Sequence, residues 1–165
     1  MKDFDSIKAG EFGGWIENEK NLSQDDNAWI YGNATVFDNA KILGNVKVYG
    51  NVKVYGNAKV LGNTNVFGYA KVYGNVRICG NVTIKGDAKV HDAVDYIVFK
   101  NFWSSGRYFT WTRSNNKWSV GCFYGTGEEL IKKAYADSDT SGREYERVVR
   151  YVESILADEK KEKSN

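Results

Sequence analysis

Between Asp26 and His91 the apolar positions recur every six residues without a break. In frame, the units run Asp26-Asn-Ala-Trp-Ile-Tyr31, Gly32-Asn-Ala-Thr-Val-Phe37 and onward to Gly86-Asp-Ala-Lys-Val-His91, eleven units over 66 residues. The fifth position is always a branched aliphatic, from Ile30 and Val36 to Ile84 and Val90. The third is always small or branched: Ala28, Val46, Thr64 and Ala88 are examples. Period-two alternation turns the fourth and sixth positions away from the fifth, into solvent. Gly or Asp followed by Asn, at the first two positions, is turn chemistry: Gly and Asn tolerate positive φ, and Asn can bond its own local backbone. Sides of six residues with a turn at each end close into a three-sided coil of about 18 residues, whose successive turns pair as parallel strands. Asp26 and Asp38 stand where Gly is the rule, Tyr69 and Asp87 where Asn is, and none of them breaks the frame.

The pattern changes on either side of this run. Residues 11–22, Glu-Phe-Gly-Gly-Trp-Ile-Glu-Asn-Glu-Lys-Asn-Leu, read as an irregular first coil in which Trp15 and Leu22 seal the open end of the core. After His91, residues 95–102, 107–113 and 117–123 alternate as three strands, with Ser104-Ser-Gly106 and Ser114-Asn-Asn116 as turns. Thr126-Gly-Glu-Glu129 is a capping box that opens a short helix, and Ser141-Gly-Arg-Glu144 is a second that opens a longer one. Tyr145, Val148, Val149, Val152, Ile155 and Leu156 form the apolar stripe of that longer helix, and the charged stretch 158–165 is expected to fray. Three regions follow: an N-terminal cap (1–25), a hexapeptide solenoid (26–94) and an α+β module (95–165).

The eleven units resemble the left-handed parallel β-helix of the hexapeptide-repeat family. The left hand is an implication of that resemblance, since parallel crossovers in general favour the right. The Gly13-Gly-Trp-Ile-Glu17…Asn21-Leu22 lead-in resembles one that precedes such repeats in bacterial and prophage proteins. The motif Gly121-Cys-Phe-x-Gly-Thr126…Glu128-Glu129, with Gly142-Arg-x-Tyr145, resembles a tail module of prophage-borne proteins. The expected fold is therefore mainly β: a triangular solenoid closed by a three-stranded antiparallel meander and two helices.

Composition narrows the function classes. With 42% hydrophobic residues and 15% aromatics the chain can bury a core. No run approaches the roughly 20 apolar residues of a membrane-spanning helix. Met1–Lys8 carries charge before any apolar stretch, so no signal peptide is expected, and two cysteines fit a reducing cytoplasm. Charge is uneven: −3 over residues 1–25, +4 over 26–94 and +1 over 95–165. A basic excess of that size is weak support for nucleic-acid binding.

A period of 18 lets the outer surface be read in columns. One side shows Trp29/Tyr31, Lys47/Tyr49, Asn65/Phe67 and Thr83/Lys85. A second shows Thr35/Phe37, Lys53/Tyr55, Lys71/Tyr73 and Lys89/His91, and the third Lys41/Leu43, Lys59/Leu61 and Arg77/Cys79. Outward aromatics can simply stack to stiffen adjacent coils, with Lys guarding against aggregation. On the second side, aromatics interleaved with Lys also suit partner binding. Lys53, Tyr55, Lys71, Tyr73 and Lys89 are the candidate contacts there, joined by Trp103 and Trp111 if those are exposed and not core. The Leu43/Leu61/Cys79 side is apolar enough to require cover, from a second subunit or from the C-terminal helix through Tyr145, Val149 and Val152.

The residues offer little catalytic chemistry. The family resemblance implies acyltransferases that use a histidine beside a groove between subunits, with CoA along the helix. The sole histidine here, His91, stands at an outward position, and no loop interrupts the coils to build an acceptor pocket. Asp92 and Asp95 are neighbours in sequence. One His and two distant Cys make no metal cluster, and Cys122, among aromatics, reads as buried. No cofactor and no metal are expected. The leading expectation is a non-enzymatic, phage- or prophage-encoded protein that occludes a host protein, such as a CRISPR effector or another antiviral component, in the bacterial cytoplasm. A nucleic-acid or nucleotide binder, a divergent acyltransferase and a structural oligomer module are the rival readings. No membrane partner is expected, and a homo-oligomer is.

Overall fold

The computed structural model describes residues 7–8 and 10–164. Met1–Ser6, on which the reading of the N-terminus largely rests, lie outside them. In chain order come β1 (Trp15–Ile16), β2 (Trp29–Ile30), β3 (Thr35–Val36), β4 (Lys41–Ile42), β5 (Lys47–Val48), β6 (Lys53–Val54), β7 (Lys59–Val60), β8 (Asn65–Val66), β9 (Lys71–Val72), β10 (Arg77–Ile78), β11 (Thr83–Ile84) and β12 (Lys89–Val90). They assemble into three parallel sheets ordered β1-β3-β6-β9-β12, β2-β5-β8-β11 and β4-β7-β10. Within the repeat every pairing has a register of 18, as in Trp29↔Lys47, Lys41↔Lys59 and Lys53↔Lys71. The result is a parallel β-solenoid of about four turns, the period read from sequence.

Each strand keeps only its fifth position and the residue two before it inside. Ile42, Val48, Val60, Val66, Ile78 and Ile84 are fully buried, as are Ala34, Ala40, Ala58 and Ala70. Thr64, the polar exception, donates its hydroxyl to the Leu61 carbonyl at 2.8 Å, which removes the cost of burying it. At the corners, Gly44, Gly62 and Gly80 lie one above another. A Cβ on Gly62 would sit 2.9 Å from the Gly80 nitrogen at φ +74°, so stacking and backbone conformation both require glycine. The corner asparagines do more than expected. Each donates its side-chain amide to the asparagine one coil on, Asn27→Asn45→Asn63→Asn81 and Asn39→Asn57→Asn75, at 2.9–3.4 Å. The local backbone bonds anticipated from the sequence give way to these vertical ladders, because stacking brings identical amides into register.

The N-terminal cap differs from the expectation in phase. β1 pairs with β3 as Trp15↔Thr35 and Ile16↔Val36, so Ile16 takes the inward position and Trp15 points out, 71% exposed. Leu22 does pack on the core, bridging Ile42. Polar contacts complete the cap: buried Asn21 donates to the carbonyls of Asp38 (3.0 Å) and Ala40 (2.9 Å). Asp26 and Asp38 accept from the amides of Gly44 (2.8 Å) and Gly56 (3.0 Å), and Glu17 accepts from Asp38 (2.6 Å), so acids at these corners secure the coil above.

The C-terminal module has four strands, not three: β13 (Tyr96–Lys100), β14 (Tyr108–Thr112), β15 (Lys117–Val120) and β16 (Phe123–Gly125), antiparallel in that order. Gly121, at φ +54°, turns the chain within the apolar run read as one strand, and Val120 pairs with Phe123. Helices α1 (Gly127–Asp137) and α2 (Asp139–Glu162) follow. The Thr126 capping box is present. The cap of α2 is Ser138 and not Ser141, and α2 continues to Glu162 through the stretch expected to fray. Arg113 accounts for that persistence, gripping Glu159 through Nη1 (2.6 Å) and Nη2 (3.0 Å). Phe109, Trp111, Trp118, Tyr145, Val149 and Val152 form a second core between sheet and helices.

The other face of this sheet closes the solenoid. Thr110 and Ser114 accept, through their hydroxyls, from the backbone amides of Thr83 (3.1 Å) and Lys89 (2.7 Å). Tyr96 and Val98 pack on the aliphatic core. These contacts give the last coil's exposed donors the partners that a further coil would have supplied.

Candidate functional site

The sheet β1-β3-β6-β9-β12 sets three lysines in one column. Lys53↔Lys71 and Lys71↔Lys89 are direct partners, and all three are exposed. Rungs of a parallel sheet are about 4.8 Å apart. On the adjoining leucine face Lys41↔Lys59 and Lys59↔Arg77 repeat the arrangement. Among the described residues none of these six cations forms an ion pair. Like charges directly opposite in a sheet destabilise it, so these columns weaken the isolated coil.

The aromatic ladders follow the self-stacking reading. Phe37–Tyr55 and Tyr55–Tyr73 centroids are 5.1 and 5.2 Å apart and within 6° of parallel, and the His91 ring leans on Tyr73 at 5.1 Å. The second ladder runs Tyr31–Tyr49 (4.2 Å) and Tyr49–Phe67 (4.9 Å), topped by Lys85 over the Phe67 ring at 5.8 Å. Both faces of Tyr55 and Tyr73 are therefore in use, and only ring edges and hydroxyls reach outward. A nucleobase cannot stack there without separating the pairs, which removes the stacking half of the sequence argument.

Trp111 is not a surface residue. It is 1% exposed with its indole donating to Asn116 at 2.8 Å, because alternation along β14 turns it toward the helices. Trp103 is half-buried, edge-on to Tyr145 at 5.4 Å and to Phe109 at 6.1 Å. Tyr145, Val149 and Val152 fill this same second core and leave the leucine face to itself, where Leu43 and Leu61 are half-buried and Cys79 exposed. Tyr96 reaches that face, its hydroxyl donating to the Arg77 carbonyl at 3.3 Å. Cys122 is exposed, since it sits in the tight Gly121 turn.

One residue missed as a contact is Tyr69. At its corner, Asn33, Asn51, Tyr69 and Asp87 succeed one another, and Tyr69 stands 68% exposed beside the Lys71 strand. Its departure from the asparagine rule was the available signal. Asp87 above it is held below the ordinary carboxylate range, chiefly by the Asn115 amide at 3.0 Å, so it stays charged at neutral pH.

His91 has Asp92 on Nδ1 at 3.1 Å, with both side chains more than half exposed. Its ring lies over the Gly74 turn, where a Cβ would meet Cδ2 at 2.7 Å and Nε2 at 3.0 Å. The hollows at the N-terminal end, of about 240 Å³ beside Leu22, Ala28 and Trp29 and about 190 Å³ beside Asn18, Asn21 and Lys41, do not include it. Among the described residues no group of three or more His, Cys, Asp or Glu is arranged to hold a metal, and no helix is long and apolar enough to cross a membrane.

The architecture is that of a parallel β-solenoid protein with an α+β end module. The YdcK Beta solenoid repeat matches residues 28–44, close to one coil. No curated protein and no solved structure gives a significant match.

Proposed function

We propose that this chain is a non-enzymatic binding protein whose solenoid docks a rigid, positively charged face onto an acidic macromolecular partner. The observation that carries this reading is the Lys53–Lys71–Lys89 column, three unpaired cations about one rung apart on a backbone fixed by ladder hydrogen bonds. A stiff face loses little entropy on docking, and its unneutralised charge gains from a partner what the isolated coil cannot provide. The natural partner on this reading is a host protein, occluded in the bacterial cytoplasm by a factor whose phage or prophage origin rests on the sequence resemblance; a component of antiviral defence is one such target. An acyltransferase role has less support, because the His91 ring packs on Tyr73 over the Gly74 turn and lines neither hollow at the N-terminal end.

The test is affinity capture from bacterial lysate with the whole chain and with the triple variant Lys53→Glu/Lys71→Glu/Lys89→Glu. Capture by the wild type that the variant loses, with both proteins folded by circular dichroism, supports the proposal. Absence of any saturable partner, or acyl-CoA turnover abolished by His91→Ala, overturns it.

A further inference from the structure

We infer that the Lys53 face is built for a protein partner presenting an acidic helix with an apolar slot beside it, and that Tyr69 is the anchor entering that slot. The inference rests on the binding role proposed above and adds the partner's chemistry.

Tyr69 has no structural reason to be tyrosine. Its backbone holds the coil in the ordinary way, donating to the Gly86 carbonyl at 2.8 Å, as asparagines do at equivalent corners. The other two corners carry continuous amide ladders, whereas at this one Asn33 and Asn51 make no such bond among the described residues and Tyr69 follows them. Among the described residues its ring contacts no other ring. A large exposed aromatic where the repeat calls for a small amide suits the centre of an interface, and the lysine column beside it, free of ion pairs among the described residues, suits the polar rim.

A protein fits this face better than a nucleic acid. The stacked rings offer no free face to bases along the Tyr55–Tyr73 ladder. Carboxylates also bound the basic patch: Asp87 one coil above Tyr69, Glu17 and Asp38 toward one end, Asp92 at the other. A phosphate chain running along the solenoid would meet them. A compact acidic patch seated on Lys53 and Lys71 would meet only Asp87, whose charge is shared with the Asn115 amide and Lys89. Lys53 to Lys89 spans two rungs, about 10 Å, and a helix with one carboxylate per turn repeats every 5.4 Å or so, a mismatch within reach of lysine side chains.

The probe is a helical peptide bearing Glu once per turn on one face with Leu beside them. Controls are the same composition with Glu dispersed around the helix, single-stranded oligothymidylate and a DNA duplex. The expected result is that the facial peptide binds the full chain more tightly than the three controls. Tyr69→Asn, which restores the residue of the repeat, then weakens binding about 10- to 100-fold while the thermal midpoint holds or rises. Lys71→Gln weakens it about tenfold and also raises the midpoint, because it relieves repulsion along the column. Lys132→Gln/Lys133→Gln, on the exposed side of α1, leaves binding unchanged. The inference is overturned if oligonucleotide binds more tightly than peptide, if Tyr69→Asn binds normally, or if it loses binding together with stability. Lysate capture that survives Tyr69→Asn sinks this inference and leaves the broader proposal standing; no capture by the wild type sinks both.

Discussion

In the solenoid the aromatic rings stand outside and the interior is alanine, valine and isoleucine, whereas in the C-terminal module the rings fill the interior and hydroxyls face the neighbour. The difference comes from what each region must specify. A coil that repeats every 18 residues obtains its register from backbone ladders and corner glycines, so slim side chains suffice inside and the outer positions are free to vary. The module has no repeat. Its sheet and helices are held together by large shape-specific side chains, such as Phe109 against Trp118 at 6.0 Å and Tyr145 against Phe109 at 5.2 Å. Surface function is accordingly easier to place on the solenoid.

The sharpest way to break this contrast is to truncate one core at a time. Trp118→Ala in the module is expected to cost about 3–5 kcal/mol, read by chemical denaturation with loss of the near-ultraviolet aromatic signal. Ile78→Ala in the solenoid is expected to cost about 2–5 kcal/mol and to leave that signal largely intact until global unfolding. Equal loss of aromatic signal in the two variants would mean that the cores are not separate. Next in size is Gly62→Ala, at least about 1–2 kcal/mol from the left-handed backbone alone, with contact to Gly80 added. An alanine tolerated there at wild-type stability would contradict the corner stacking.

The junction is tested more gently. Thr110→Val removes the acceptor for the Thr83 amide and is expected to cost about 0.5–1.5 kcal/mol, with faster hydrogen exchange confined to the last coil. The smallest effects are acidic. Glu159 is held below the usual carboxylate range by Arg113, and Asp26 by the Gly44 amide. A carboxyl depressed in the folded state stabilises fully above its unfolded value, and that contribution disappears as the pH falls through the depressed one. Stability should therefore decline below the ordinary carboxylate range. Glu159→Gln should be less stable than wild type at pH 7 and converge with it in acid, where a constant difference across pH would exclude the linkage.

The solenoid was legible in the sequence because its rule is local and repeated: Val48, Val66 and Ile84 stack as the 18-residue period requires. The lead-in departs from the regular phase by one position, with Ile16 and not Trp15 turned inward, because two glycines at Gly13 and Gly14 let the chain approach Ile30 and Ala34 more closely than a regular unit would. The Gly121 turn hid a fourth strand inside an apolar run. At the candidate site the lysine column and the possibility of ring stacking were readable from the 18-residue period, while the choice between stacking and partner binding was not, since outward alternation says where a side chain points and not what lies upon it.

Sequence by itself determined the coil, its buried columns and the charge of its faces, since each follows from residue type at a fixed spacing. Tertiary structure alone decided that Trp111 and α2 belong to a second core, that hydroxyls from β14 and its turn close the last coil, and that Tyr69 stands free. Those outcomes depend on contacts between residues far apart in the chain, which no local pattern encodes.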